Sequence, residues 1–212
     1  MLRTKKIIKN RSNKIKFFLI ILTVIFLING ILVAISISIT KKKYSEKYPY
    51  IEFSDLKKGD ILFGKSNFGS GPMPGYWSHT AIFYGYNNST PLIIEAYANS
   101  PIRYNTLYNF VNERRHFMVG RVKNLTDEQR ERIVNYAASK VGMPFDYWYL
   151  NKEKTSENHH YYCSELIWEA YLINSGIDLD TNPNFTLKYA NAVAPQEIFD
   201  NPILEIYNLR VD

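Results

Sequence analysis

Cys163 is the chain's only cysteine, and it stands in the run His159-His160-Tyr161-Tyr162-Cys163-Ser164-Glu165-Leu166-Ile167-Trp168, where an aromatic loop gives way to an amphipathic helix. In the first turn of a helix, unpaired amides and the helix dipole favour a thiolate over a thiol. The position therefore suits a nucleophile. A small buried hydrophobe is the competing reading, since free cysteine is among the most buried residue types.

A thiol nucleophile needs a base, and the chain offers His79, His116, His159 and His160. His79 opens an apolar strand directly after Trp77-Ser78 and a glycine-rich loop, so its ring can face a cleft from a rigid element. His159 and His160 belong with a polar segment, Lys152 to Asn158, that reads as solvated loop, which orients a base poorly. His116 follows Glu113-Arg114-Arg115 and reads as a surface residue. The base in turn needs an orienter. Leu92-Ile93-Ile94-Glu95-Ala96 places a carboxylate inside an apolar strand, and buried carboxylates carry partners; a strand-edge glutamate turned to water is the alternative. With a hairpin loop of Gly85 to Ser89, Tyr84 pairs with Thr90 and His79 stands directly opposite Glu95 on one face. A shift of one residue would turn one of the two away. Zinc held by His159, His160 and Cys163 lacks a fourth ligand, and neither a metal nor a cofactor is expected.

The elements that position these residues are short. Asp60-Ile61-Leu62-Phe63 reads as a strand after the turn Lys57-Lys58-Gly59, and Gly64 to Gly75 as loop. His79 to Tyr84 and Leu92 to Tyr97 form a hairpin, and Phe117 to Val122 and Ile203 to Val211 are further strands. Thr126 with Gln129 makes a capping box that opens a helix to about Val141, stopped by Gly142. The helix after Cys163 buries Leu166, Ile167, Ala170, Tyr171 and Ile173 and ends at Gly176. A short helix starts at Pro195. Short antiparallel strands with a few helices set to one side describe an α+β domain.

Charge separates the rest of the chain from this domain. The first 43 residues hold ten basic residues and no acidic ones, while the remainder carries 16 basic and 20 acidic, net −4. The folded part thus lacks the basic surface that nucleic acid requires. Phe17 to Ile39 is 23 uncharged residues, about 35 Å of helix at ~1.5 Å per residue and enough to cross a bilayer core of ~30 Å. It is longer than the apolar part of a secretory signal, so it reads as an uncleaved signal anchor, with a cleaved signal peptide as the alternative. The basic load before the span favours an N-terminus inside and the domain outside the membrane. The expected organisation is a basic cytoplasmic tail over residues 1–16, a transmembrane anchor over 17–39, a linker over 40–54 and one domain over 55–212. Oligomeric state is not legible.

In combination, Leu56-Lys57-Lys58-Gly59-Asp60-Ile61-Leu62, Trp77-Ser78-His79-Thr80-Ala81-Ile82-Phe83, Ile94-Glu95-Ala96, Val141-Gly142 with Pro144-Phe145-Asp146-Tyr147, and Tyr162-Cys163-Ser164-Glu165-Leu166 resemble the circularly permuted, papain-like amidases of the NlpC superfamily. The order is the permuted one, histidine first and cysteine last. The resemblance implies a permuted papain-like domain, an antiparallel sheet or small barrel with helices on one side. It implies Cys163 as nucleophile, His79 as general base and Glu95 as the third, polarising residue, with the thiol forming a thioester acyl-enzyme. Tyr161 and Tyr162 compete for a place near the oxyanion site, the backbone amide of Cys163 is a natural donor there, and Trp77 is counted with them as a substrate-side residue. Asp146 matches a recurring acidic position but reads better as a turn or capping residue. Amide bonds of cell-wall peptides or another envelope amide are the expected substrates. A lipid acyl hydrolase or acyltransferase on the same fold, or an anchored module without catalysis, is the rival reading.

Overall fold

The computed structural model of the chain describes residues 2–66, 73–152 and 160–210. The chain divides into two units, Met1–Lys47 and Tyr48–Asp212. The first is a single helix, α1 (Leu2–Lys47). Its stretch from Lys14 to Lys47 is long and apolar enough to cross a membrane, and none of it is buried within the protein. By length and composition such a helix serves as an anchor or as a signal sequence. It runs on through Thr40 to Lys47, where the sequence reads as linker. Lysines and glutamate propagate a helix readily, and Lys42 and Glu46 face each other one turn apart.

The second unit is α+β, built on an open seven-stranded mixed sheet in the order β1-β7-β6-β2-β3-β4-β5. β1 (Tyr50–Ile51) adds at one edge, parallel to the last strand; it lies within the segment expected to be linker. β2 (Ile61–Ser66) continues past the expected end of its strand into Gly64, Lys65 and Ser66. Residues 67–72 of the glycine-rich loop lie outside the described residues. β3 (His79–Asn87) and β4 (Thr90–Glu95) form the hairpin. It closes on Asn88-Ser89 alone, both with positive φ (46° and 65°), the backbone a two-residue primed turn demands.

β5 (Arg103–Thr106) and α2 (Leu107–Asn112) follow, the helix capped by the Thr106 side chain. β6 (Arg114–Val122) starts three residues before its expected beginning. α3 (Asp127–Ser139) opens on the Thr126–Gln129 capping box, with both reciprocal bonds formed. α4 (Cys163–Ser175) ends at Gly176 in the left-handed region, α5 (Pro195–Asp200) begins at its proline, and β7 (Leu204–Leu209) closes the sheet.

Both faces of the sheet are covered. Leu62, Ala81, Phe83, Ile93 and Val119 bury one face under Leu107, Phe110 and Val111 of α2. On the other, Phe63 packs edge-on against Phe199 of α5, with Trp77 beside both. α3 packs on α4, and α4 lies over β3. Strand alternation thus sends Leu62 and Phe63 to opposite cores, and β3 lies between its neighbours in the middle of the sheet, well placed to carry a rigid functional side chain at its first residue.

Candidate active site

Cys163 is the first residue of α4, with Tyr162 as its N-cap, so the thiol sits where the helix offers unpaired amides and positive potential. His79 is the first residue of β3. Because α4 packs over β3, these two chain starts meet at one end of the sheet, where thiol and imidazole line one cavity and interact electrostatically. Cys163 stays partly exposed, whereas His79 is buried.

The His79 Nε2 donates to Glu95 Oε2 at 2.8 Å. The hairpin achieves this with a register other than the expected one. Tyr84 does not pair with Thr90; Asn87 does, and the pairing slips between Phe83 and Gly85. The extra residue of this bulge follows from the tighter turn, and Gly85 takes the strained φ of 134° that glycine tolerates. Beyond the bulge Ile82 pairs with Ile94, which carries Ala81, not His79, to the position across from Glu95. His79 and Glu95 therefore share a face as a diagonal pair, still within side-chain reach.

Glu95 is fully buried, and its other oxygen is filled. Arg103 donates through Nε (3.1 Å) and Nη2 (2.9 Å), and Asn105 through Nδ2 (2.8 Å). These β5 residues lie in a stretch for which no element is expected from the sequence. The available signal was the buried carboxylate itself, which demands several donors from a neighbouring strand. Burial alone would push its carboxyl up, but the bonds from His79, Arg103 and Asn105 outweigh it and hold it at about 2. For His79, burial opposes the charge, yet the thiol of Cys163 and the carboxylate of Glu95 together raise the ring to about 9. Burial raises the Cys163 thiol, and His79 with the amide and hydroxyl of Thr80 more than offsets it, so the net shift is downward. Thr80, which sequence reasoning overlooked, is fully buried, and its hydroxyl makes no hydrogen bond with the described residues. The arrangement favours a thiolate–imidazolium pair.

A cavity of about 300 Å³ opens at this pair, walled by His79, Cys163, Tyr97, Arg114, Phe145 and Tyr162 among others. Of the two tyrosines before the cysteine, Tyr162 lines the cavity, and its hydroxyl accepts from the Val193 amide at 3.1 Å. Tyr161 turns the other way, into a chain in which its hydroxyl meets that of Tyr136 (3.4 Å) and Tyr136 donates to Glu169 (2.9 Å). Trp77 does not line the cavity; it is fully buried among Phe63, Phe199, Tyr76 and His116. Asp146 accepts from the Trp148 amide at 2.6 Å, the turn role expected of it.

Two surface expectations fail. His116 is buried and bonded to the Tyr76 hydroxyl at 3.0 Å, because β6 extends back to Arg114 and its alternation turns Arg114 and His116 inward with exposed Arg115 between them. Lys152, expected in solvent, is buried against Asp180 and Trp168. His160 is exposed, and His159 lies outside the described residues.

Comparison with known proteins agrees with this geometry. Residues 55–207 match the family model described as permuted papain-like amidase enzyme, YaeF/YiiX, C92 family. The uncharacterized protein YycO of Bacillus subtilis (strain 168) is 27% identical over 125 residues, 59% of this chain and 47% of that protein. The chain thus spans about half the length of that curated relative. The crystal structure of metalloprotein yiiX from Escherichia coli O157:H7 shares the fold with a TM-score of 0.57 at 23% identity, covering 74% of this chain and 98% of the other.

Proposed function

Because the chain belongs to the permuted papain-like amidase family, we propose that it is a membrane-tethered cysteine hydrolase that cleaves amide bonds of the cell envelope through Cys163, His79 and Glu95. One observation carries the reading: His79 is bonded to a carboxylate buried with its own set of donors, and it lines the same cavity as the chain's only thiol. A packing cysteine or a structural histidine calls for no such charge relay.

In this mechanism Glu95 holds Nε2, which leaves the other ring nitrogen, Nδ1, to take the thiol proton. The thiolate attacks the amide carbon, a C–S bond forms, and the carbonyl oxygen takes up the negative charge. As the first residue of α4, Cys163 has an amide without an intrahelical acceptor, and that amide donates to the oxyanion. Tyr162, which lines the cavity, is the better candidate than Tyr161 for a second contact there. The imidazolium then protonates the leaving amine as the C–N bond breaks and a thioester remains. Water, deprotonated by His79, attacks the thioester and frees the carboxylic acid and the thiol. A metal fits these residues poorly. Glu95 and the Nε2 of His79 are committed to each other, to Arg103 and to Asn105, and among the described residues no three His, Cys, Asp or Glu side chains are placed to hold one ion.

α1 supplies the tether, and the basic residues before its apolar run favour placing the domain outside. The protein incubated with cell-wall fragments should release new amino termini; free fatty acid released from phospholipid instead would assign the site to lipid esters. Protease added to intact cells should remove the domain, and full protection would reverse the orientation.

A further inference from the structure

Among the described residues that line the cavity, Arg114 is the only charged side chain apart from the His79 and Cys163 pair. It is a buried arginine at the start of β6, and its guanidinium is clamped. It lies over the rings of Phe110 (5.2 Å) and Tyr97 (5.6 Å). Beneath it is Gly64, where an added Cβ would come within 2.9 Å of the arginine's Cδ and Nε. The absence of a side chain at Gly64 is what lets the arginine lie flat against β2.

The clamp leaves the charge under-used. Nη1 reaches the Glu113 carbonyl at 3.3 Å and its carboxylate at 3.2 Å, but that carboxylate is half exposed, and a solvated pair neutralises little. Among the described residues Nε finds no acceptor. The other arginine near the wall, Arg103, is committed to Glu95. No acidic residue lines the cavity among the described residues. An immobilised, partly satisfied guanidinium in the wall of a cavity lined by aromatic, serine and apolar residues suits a planar anion.

We propose that Arg114 is a specificity residue, binding a carboxylate that the substrate carries close to the amide cleaved by Cys163. The cavity's size keeps that carboxylate within a few atoms of the scissile carbonyl, so amides of amino acids with a free carboxylate fit and neutral amides fit less well. The proposal rests on Cys163 being the nucleophile and adds to it a preference for anionic substrates.

Two small alkylating agents test it without knowledge of the natural substrate. Iodoacetate and iodoacetamide both form an S–C bond with Cys163 as the C–I bond breaks and iodide leaves, and they differ by a carboxylate against an amide. In the wild type, iodoacetate should react with saturation and faster. The ratio of the two rates should fall about tenfold or more in Arg114→Met, the size of one charge-assisted hydrogen bond, and less in Arg114→Lys. The same ratio in all three proteins would overturn the proposal and assign the anion preference to the imidazolium. Reaction of wild-type Cys163 no faster than a free thiol with either reagent would overturn the nucleophile assignment instead. A second measurement needs no variant: N-acetylglycine should protect wild-type Cys163 from iodoacetamide and its primary amide should not, whereas equal protection by both would overturn the proposal.

Discussion

Amide cleavage by a His79→Ala variant is expected to fall by on the order of 10³- to 10⁴-fold, the contribution of a positioned acid–base group. The loss combines two effects. The thiol of Cys163 loses the partner that draws its pKa down, and the leaving amine loses its proton donor. Burial then dominates at Cys163, so the thiol titrates higher and alkylation by iodoacetamide near neutral pH should slow markedly. Tm should fall as well, because the variant forgoes the buried pair with Glu95, so the rates are compared at a temperature where both proteins are folded. Equal labelling of the two proteins would sink the activated-thiolate reading and leave Cys163 as packing.

The sequence located this pair because each member sits at the first residue of an element that announces itself. β3 begins where a glycine-rich loop yields to an apolar run, and α4 begins where an aromatic loop yields to an amphipathic one. Glu95 was legible for a different reason, as a charge in an otherwise apolar strand. Hairpin register was not legible, since Gly85 to Ser89 supports either a wide loop or a bulge followed by a two-residue turn. Only tertiary packing decides between them. The donors on β5 were hidden because Arg103-Tyr104-Asn105-Thr106 is a short, polar, edge strand without an apolar pattern. Arg114 was hidden by its neighbours: within Glu113-Arg114-Arg115 it reads as part of a solvated charge cluster, and only the pleat of β6 separates the inward arginine from the outward one.

Replacing Glu95 by glutamine keeps the volume and removes the charge, and it tests the third member of the site through both rate and stability. A triad carboxylate turned into its amide costs on the order of 10⁴-fold in turnover, because the ring loses the group that fixes its tautomer and stabilises its charge. The stability effect has a sign that can be worked out from both ends of the pair. Glu95 is held at about 2 against an ordinary 4.5, so its contribution is complete above pH 4.5 and lost as pH falls toward 2. His79 is held at about 9 against 6.5, so its contribution is complete below pH 6.5 and lost as pH rises through 9. The rise at His79 comes from Cys163 first and Glu95 second, so the two shifts overlap in the His79–Glu95 pair and do not add. Together they predict a stability plateau between roughly pH 4.5 and 6.5, with about 2 to 3 kcal/mol lost toward either extreme. Glu95→Gln should flatten both limbs: the acid limb because no carboxylate remains to protonate, the alkaline limb because His79 titrates closer to its ordinary value. Arg103 meanwhile keeps a neutral acceptor in place of a charged one. Denaturant unfolding of wild type and variant at pH 3, 6 and 9 measures this directly, and identical pH profiles would show that Glu95 is not the charge that holds His79.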